Sequence, residues 1–225
     1  MSKERKRQRA VLLDVDGTLI DSNDAHANAW VDVCREFGYE VPFEKVRWLV
    51  GMGGDKVLPE LTGLTDDSAD GEKILKRRGE IFREQYLPHL HAFDGAYDLL
   101  VRLRDDGFVL VVATSASAED LEALLKRGGF DDVIEKASTS DDAEESKPAP
   151  DIVEAALKKA NVGADRALML GDTPYDIEAA VRAGVAIVAV RCGGWQDDDL
   201  RGAIAVFDSP ADILTHYSES PFGKK

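Results

Sequence analysis

Short runs of apolar residues alternate, along most of the chain, with segments whose apolar residues recur at helical spacing. Such runs are typical of buried strands, because both faces of a parallel sheet are covered. The predicted strands are Ala10–Asp16, Phe108–Ala113, Val133–Ser138, Ala167–Leu170, Val185–Val190 and Ile204–Phe207. Strands that alternate with helices indicate right-handed βαβ units, so we predict an α/β fold with a Rossmann-like parallel sheet.

One long stretch after the first strand does not follow this alternation. It has helical periodicity throughout and contains no convincing strand, which predicts an inserted α-helical cap domain. The predicted helices there are Asp24–Phe37, Phe43–Val50, Lys56–Leu61 and Asp70–Tyr86. The predicted organisation is a core domain at 10–21 and 93–217, a cap domain at 22–92, and tails at 1–9 and 218–225.

Polar and charged residues follow four of the predicted strands. In open parallel sheets, ligands bind at the carboxyl ends of the strands, so these side chains are expected at one edge. They are Asp14 and Asp16 after the first strand, Thr114 and Ser115 after the second, Lys147 beyond the third, and Asp172 and Asp176 after the fourth.

The charge balance narrows the possible partners. The net charge is −15, and such a field repels a phosphate backbone, so we expect no nucleic-acid partner. No apolar run approaches the roughly 20 residues that span a bilayer, and no secretory signal is recognisable, so we expect a cytoplasmic protein without a membrane partner. The first ten residues are basic, with Lys3, Arg5, Lys6, Arg7 and Arg9; we expect a solvated terminus, and contact with an anionic partner is the alternative.

The two cysteines do not suggest a metal site. Cys34 and Cys192 lie far apart in the sequence and form no CxxC or Cys/His pattern. A cytosolic chain of this size does not need a disulfide, so two reduced thiols are expected.

The residues at the strand ends belong to four short motifs. Asp14-Val15-Asp16-Gly17-Thr18 resembles the DxDGT signature of haloacid dehalogenase (HAD) superfamily phosphatases. The other three, in the same order as in that superfamily, are Thr114 closing an apolar strand, Lys147-Pro148-Ala149-Pro150-Asp151, and Gly171-Asp172-Thr173-Pro174-Tyr175-Asp176. The chain therefore looks like a HAD phosphatase with a helical cap, of the phosphoglycolate phosphatase and beta-phosphoglucomutase-like branch.

The resemblance implies a role for each motif in phosphoryl transfer. Asp14 would be the nucleophile, and Asp16 would protonate the leaving oxygen and then deprotonate the attacking water. Phosphate-binding groups would be Thr114, Ser115 and Lys147, while Gly17 lets the backbone come close.

The resemblance also implies a magnesium ion. Clustered carboxylates and a phosphate require a cation, and Mg²⁺ prefers oxygen ligands. Its implied ligands are the carboxylates of Asp14 and Asp172 and the backbone carbonyl of Asp16. Asp176 would act through a water molecule or by orienting Lys147.

Three cap residues are candidate substrate contacts. Asp21-Ser22 with His26 and Trp30 resembles a DSxxxHxxAW pattern, so His26 is placed at the mouth of the site or, alternatively, simply packed at a helix start. Gly54 belongs to the glycine-rich segment 51–54, which resembles the loop that reads the leaving group. Lys56 could bind a carboxylate or a second phosphate. The alternative interpretation is that the segment is a flexible connection and that Lys56 is a surface lysine.

The expected function is hydrolysis of a small phosphorylated metabolite, such as phosphoglycolate or a sugar phosphate. A phosphosugar mutase is the alternative, because it uses the same aspartates. Dehalogenases lack the second aspartate and phosphonatases usually replace it, so Asp16 argues against both. A non-catalytic phosphate-sensing or partner-binding module would be expected to have lost a catalytic residue, and each motif is intact. The sequence does not fix the oligomeric state, and it is compatible with a monomer.

Overall fold

The computed structural model describes residues 8–224, and the basic residues Lys3 to Arg7 lie outside that range. Within it, the strands are β1 (Arg9–Leu13), β2 (Phe108–Ala113), β3 (Lys136–Ser138), β4 (Ala167–Gly171), β5 (Ala186–Val190) and β6 (Ala205–Phe207). They form one sheet in the order β3-β2-β1-β4-β5-β6, and every neighbouring pair is parallel. The prediction of an α/β fold with a Rossmann-like parallel sheet is confirmed.

Helices connect the strands and cover the sheet. Their bounds are α1 (Asn23–Glu36), α2 (Phe43–Leu49), α3 (Gly54–Thr62), α4 (Ala69–Ile81), α5 (Ala96–Asp105), α6 (Ala118–Gly128), α7 (Asp151–Ala160), α8 (Pro174–Arg182) and α9 (Pro210–Thr215). Consecutive residues of β1 pack into different hydrophobic clusters: Val11 and Leu13 into one, Ala10 and Leu12 into the other. Burial on both faces explains why β1 reads as a continuous apolar run.

The four helices α1–α4 lie between β1 and α5 and pack against one another. The two segments that enter and leave this helical group run side by side. Ile20 and Ala92 form an antiparallel bridge, and the Asp21 N–H donates to the His91 carbonyl at 3.0 Å. The helical group is therefore anchored to the sheet through a narrow double connection.

Most elements begin or end one to three residues from their predicted bounds, the first strand for example ending at Leu13 and not at Asp16, and two of the differences have a visible local cause. The third strand begins at Lys136, because Val133 and Ile134 turn back through N–H bonds to the Phe130 carbonyl. Their apolar side chains are buried in a turn, so hydrophobicity alone suggested a longer strand. The predicted helix Asp70–Tyr86 changes after Ile81 into a π-helical turn.

The C-terminal segment also contributes to the core. Phe222 is buried in the same hydrophobic cluster as Val11, although it stands between Pro221 and Gly223 in an otherwise polar segment. Ser220 and Phe222 are therefore packed into the fold, and the sequence interpretation of this segment as a tail did not foresee their burial. No helix among residues 8–224 is both long and apolar enough to cross a membrane.

We predict that Leu12→Ala lowers the free energy of unfolding by about 2–5 kcal/mol, because the side chain is fully buried in the central strand. The matched control is Val181→Ala in α8, whose residue is 59% exposed and should change stability by less than about 0.5 kcal/mol. Urea unfolding measures both. Equal losses in the two variants would contradict the assigned packing of the sheet.

Candidate active site

Strand pairing brings the first and second motifs to the carboxyl edge of the sheet. Leu13, the last residue of β1, lies opposite Val112 of β2 and Leu170 of β4. The next residue, Asp14, donates its N–H to the Leu170 carbonyl at 2.9 Å. Thr114 follows β2 in the same way and donates its N–H to Ser138 at 3.1 Å. Both side chains are therefore fixed at the end of a ladder.

A buried lysine connects the first motif to the fourth. The Lys147 ammonium lies 2.6 Å from Asp14 Oδ1 and 2.7 Å from Asp176 Oδ1, and Lys147 is only 1% exposed. Burial works against the charge of this lysine, but the two carboxylates outweigh burial and raise its pKa above the ordinary value. Lys147 is therefore held as a cation beside Asp14.

Asp176 is oriented by the helix that it begins. Its Oδ2 accepts from the Thr173 N–H at 3.0 Å and from the Thr173 hydroxyl at 2.7 Å, while Thr173 Oγ1 accepts from the Asp176 N–H. This reciprocal capping of α8 leaves Oδ1 facing Lys147. Of the two sequence alternatives for Asp176, this geometry favours orientation of Lys147.

Asp172 is enclosed by polar groups and glycines. Its Oδ1 lies 3.0 Å from the Thr18 hydroxyl, which is also 3.1 Å from Asp14 Oδ2, and its Oδ2 accepts from Asn23 Nδ2 at 2.9 Å. A methyl group at Gly193 would lie 1.7 Å from Asp172 Oδ2, and one at Gly17 would lie 2.3 Å from it. These two glycines are therefore required by close approach to the carboxylate.

Three buried acids could share a cation. Within residues 8–224, ligand oxygens of Asp14, Asp172 and Asp176 all lie within 4.8 Å of one another. Burial, followed by the charge of Asp176, raises the pKa of Asp14 to about 7. Burial and the charges of Asp14 and Asp176 raise the pKa of Asp172 well above its ordinary value. The donor set is all oxygen and carries excess negative charge, so it fits a hard divalent cation.

Asp16 faces the helical group rather than Lys147. Its Oδ1 accepts from the Ser22 hydroxyl at 2.5 Å and lies 2.7 Å from His26 Nε2. Arg78 Nη2 contacts His26 Nδ1, and because a guanidinium only donates, Nδ1 accepts and Nε2–H donates to Asp16. Burial would raise the pKa of Asp16, but His26, Ser22 and Arg78 hold it below the ordinary value.

A cleft of about 530 Å³ lies between the helical group and the carboxyl edge of the sheet. Asp14, Asp16, Thr114, Ser115 and His26 all line it. Thr114 Oγ1 accepts from the Ala116 N–H at 3.1 Å, and Ser115 Oγ accepts from the Lys147 N–H at 3.4 Å. The structure thus brings these predicted residues together around one space, and it places His26 beside Asp16.

The other two cap candidates differ from each other. Gly54 begins α3 and lines the cleft, and a methyl group there would lie 2.7 Å from Leu75. Lys56 pairs with Glu145 at 2.8 Å and is not among the described residues that line the cleft. Of the alternatives for Lys56, the structure shows a contact with a carboxylate of the protein itself.

Several polar residues of the site were missed in the sequence. Thr18 stands inside the first motif and could have been assigned, because its hydroxyl follows the two aspartates directly. Arg78 and Asp120 form an ion pair of 3.2 Å across the cleft, and Asn23 bonds Asp172 and the Gly193 carbonyl. No local signal distinguishes these three from surface residues, since each stands among other polar residues.

Comparison with known proteins identifies the family. A family model described as "Haloacid dehalogenase-like hydrolase" matches residues 11–190, and the chain belongs to this family. The phosphoglycolate phosphatase of Rhodospirillum rubrum is 31% identical over 217 residues, which cover 91% of this chain and 89% of that protein.

Two solved structures extend the comparison. A hydrolase from Pseudomonas syringae superposes with a TM-score of 0.87 at 29% identity, covering 94% of this chain and 99% of the other. A "putative beta-phosphoglucomutase" from Bacteroides vulgatus gives a TM-score of 0.82 at 26% identity, covering 94% and 88%. The predicted HAD phosphatase branch is confirmed, and the protein is a phosphatase of this family.

We predict that Lys147→Met lowers the free energy of unfolding by about 3–5 kcal/mol at pH 7, because it leaves two buried carboxylates without their cation. Lys56→Met is the control: its ion pair with Glu145 is partly exposed and contributes less than about 1 kcal/mol. Urea unfolding of both variants measures the difference. A Lys147 variant as stable as the control would mean that the buried acids are neutralised in another way.

Proposed function

We propose that this phosphatase hydrolyses small phosphate monoesters through a covalent phospho-aspartate on Asp14. The observation that carries the proposal is the buried contact of 2.6 Å between Lys147 and Asp14, the latter of which lines the cleft. An ionised carboxylate beside a fixed cation is a nucleophile that needs no separate base. The proposed site is Asp14, Asp16, Thr114, Ser115, Lys147 and Asp172, supported by Asp176 and Gly17.

The first step forms the acyl phosphate. Lys147 holds Asp14 Oδ1 and Thr18 contacts Oδ2, so the carboxylate is oriented before the substrate arrives. A carboxylate oxygen of Asp14 attacks phosphorus while the bond to the ester oxygen breaks. The pKa of Asp16 is low in the free site, so the negative charge of the bound phosphate has to raise this pKa before Asp16 can carry a proton to the departing alkoxide. Thr114, Ser115 and Lys147 bind the phosphoryl oxygens, whose negative charge needs fixed donors.

The second step releases inorganic phosphate. Water attacks phosphorus as Asp16 accepts a proton from it, and the bond between phosphorus and Asp14 breaks. The surroundings of Asp16 suit this step, because Ser22 and His26 favour its ionised form. His26 and Arg78 are proposed as positioning residues, since His26 contacts Asp16 and Arg78 contacts His26.

The acid cluster is proposed to hold Mg²⁺. The residues that would bind it are Asp14 and Asp172, together with the backbone carbonyl of Asp16. When bound, the ion supplies positive charge to the phosphoryl oxygens and offsets the repulsion among the carboxylates. Thr18, Asn23 and the two close glycines keep Asp172 in place for this task.

The two-part organisation belongs to this proposal. Residues 10–21 and 93–217 are proposed as the core domain that performs the chemistry, and residues 22–92 as the cap domain that selects the leaving group. The side-by-side connections at Ile20 and Ala92 support this division, because they are the covalent links between the two parts. The cleft between the parts would admit a small phosphorylated metabolite, for which a phosphoglycolate-like ester and a sugar phosphate are the two candidate classes.

A phosphosugar mutase is the second candidate, and the likeness to the Bacteroides vulgatus structure favours it. A mutase would return the phosphoryl group from Asp14 to another hydroxyl of the same sugar. Incubation with a sugar 1-phosphate and a trace of the bisphosphate separates the two, with products followed by ³¹P NMR. Inorganic phosphate is expected; net formation of the sugar 6-phosphate would assign a mutase.

We predict that activity requires a divalent cation, because the buried carboxylates and the phosphate repel one another. Excess chelator should reduce hydrolysis of an aryl phosphate to the background rate, and added Mg²⁺ should restore it. Mg²⁺ should also raise the melting temperature of the wild type but not of Asp172→Ala, since a bound ion stabilises only the folded state. Full activity in chelator would exclude the proposed ion.

We predict different losses for the two aspartates. Asp14→Asn removes the nucleophile, so activity should vanish and no covalent phosphate should form. Asp16→Asn should lose roughly 10²–10⁴-fold in turnover, yet still phosphorylate Asp14 from an aryl phosphate, whose leaving group needs little protonation. Mass spectrometry of the quenched Asp16 variant should locate the phosphate on the Asp14 peptide.

The control for this pair is Asp21→Asn, an exposed aspartate in the same connection, which should keep its activity. An adduct on another residue, or turnover by Asp14→Asn at the wild-type rate, would show that the nucleophile is wrongly assigned.

A further inference from the structure

The two arginines that line the cleft are already paired within the protein. Arg78 reaches Asp120 Oδ2 at 3.2 Å and also contacts His26. Arg83 reaches Asp120 Oδ1 at 2.5 Å and lies 3.3 Å from Glu119. Each oxygen of Asp120 thus has its own guanidinium, so an anion inside the cleft would compete with Asp120 for both arginines, although Arg78 Nε itself has no hydrogen-bond partner in the described part of the chain.

Asp120 is also held in position by its own helix. It is 4% exposed, and it lies in the first turn of α6, where the helix dipole favours a negative charge. Its N–H donates to Ser117 Oγ at 3.2 Å. A carboxylate of a substrate would have to displace the Asp120 carboxylate from the arginines. The exchange adds no ion pair, and it leaves the buried charge of Asp120 without its partners.

The rest of the cleft offers little to a second anion. Beyond Asp14 and Asp16, five further carboxylates line it, against the basic side chains of Lys76, Arg78 and Arg83. Lys76 lines the cleft without an ion-pair partner among residues 8–224, and its exposed side chain remains hydrated, so it attracts an anion less strongly than a buried cation would. The acids are Asp55, Asp66, Glu119, Asp120 and Glu144.

The remaining lining suits an uncharged, hydroxylated group. Trp30, Val57 and Leu75 supply apolar surface, and Ser117 and Ser140 supply hydroxyls that can donate and accept. Apolar walls with a few polar groups are typical of sites for neutral organic ligands. A carboxylate that entered this space would lose part of its hydration and would have to compete with Asp120 for Arg78 and Arg83.

We propose that the cleft selects phosphate monoesters whose alcohol carries no charge near the ester oxygen, such as polyol or sugar monophosphates. Asp120 determines this specificity by forming ion pairs with Arg78 and Arg83. The inference rests on the proposed function, because it names the substrate class of that same site. On this inference, phosphoglycolate-like esters are poor substrates. The inference also implies that the deep part of the cleft has no binding site for a second phosphate.

Two pairs of esters test the substrate class with the full-length wild type and Mg²⁺. Each pair replaces a carboxylate by a hydroxymethyl group: 2-phosphoglycolate against 2-hydroxyethyl phosphate, and 2-phosphoglycerate against glycerol 2-phosphate. The neutral member should have the higher kcat/KM by at least about tenfold in both pairs. Equal or faster hydrolysis of the carboxylates would overturn the inference and leave the proposed function intact.

An aryl phosphate, such as p-nitrophenyl phosphate, distinguishes failure of the proposed function from failure of the proposed substrate class. If neither this ester nor any member of the pairs releases phosphate, the proposed function is wrong, and the substrate class is wrong with it. Hydrolysis of the aryl ester together with a preference for the carboxylates contradicts the substrate class alone.

Variants test the part played by Asp120. Asp120→Asn frees two arginines, so kcat/KM for 2-phosphoglycolate relative to 2-hydroxyethyl phosphate should rise about tenfold. Glu122→Gln, an exposed change of equal charge on the same helix and outside the cleft, should leave the ratio unchanged. An unchanged ratio in a folded Asp120→Asn protein would overturn the role of Asp120.

A second variant covers the case in which Asp120→Asn does not fold. Arg83→Met removes an arginine that, on this proposal, is occupied by Asp120 and does not bind substrate. The ratio for the ester pair should therefore stay within about twofold of the wild type. A selective loss of carboxylate hydrolysis in this variant would show that Arg83 binds the substrate, and it would overturn the proposal.

Discussion

The buried ammonium of Lys147, placed between Asp14 and Asp176, is the interaction on which the site depends. Three carboxylates with oxygens within 4.8 Å of one another repel strongly when water is excluded, and Lys147 is the cation that the protein itself supplies to them. One positive charge does not balance three negative ones. The site therefore has an excess of negative charge that a divalent ion would neutralise. This excess is destabilising because the carboxylates are buried at the edge of the sheet.

The surrounding structure holds these charges in place. The end of β1 fixes Asp14 through the ladder, and the reciprocal cap of α8 fixes Asp176. Gly17 and Gly193 leave room for Asp172 because any larger side chain would overlap its carboxylate. Each of these features serves local structure as well, so the site is stabilised by elements that the fold needs in any case.

A second set of charges joins the helical group to the core. Asp16, His26, Arg78 and Asp120 form a continuous chain of contacts from the proposed acid and base to helix α6. Arg78 thus has two partners. One is His26, through which Arg78 orients Asp16, and the other is Asp120, which neutralises the charge of Arg78. The same side chain therefore connects the geometry of proton transfer to the electrostatics of the cleft that receives the leaving group.

The sequence by itself determined the parallel sheet and the residues at its carboxyl edge, because apolar runs ending in Asp14, Thr114 and Asp172 leave few alternatives in a βαβ fold. It did not reveal Arg78 or Asp120. Segments such as Lys76-Arg77-Arg78 and Glu119-Asp120 have the composition of solvated surfaces. Only the packing of the helices decides which of these charged side chains line the cleft. The tertiary structure decided which charges are paired, since pairing depends on distances between residues remote in sequence.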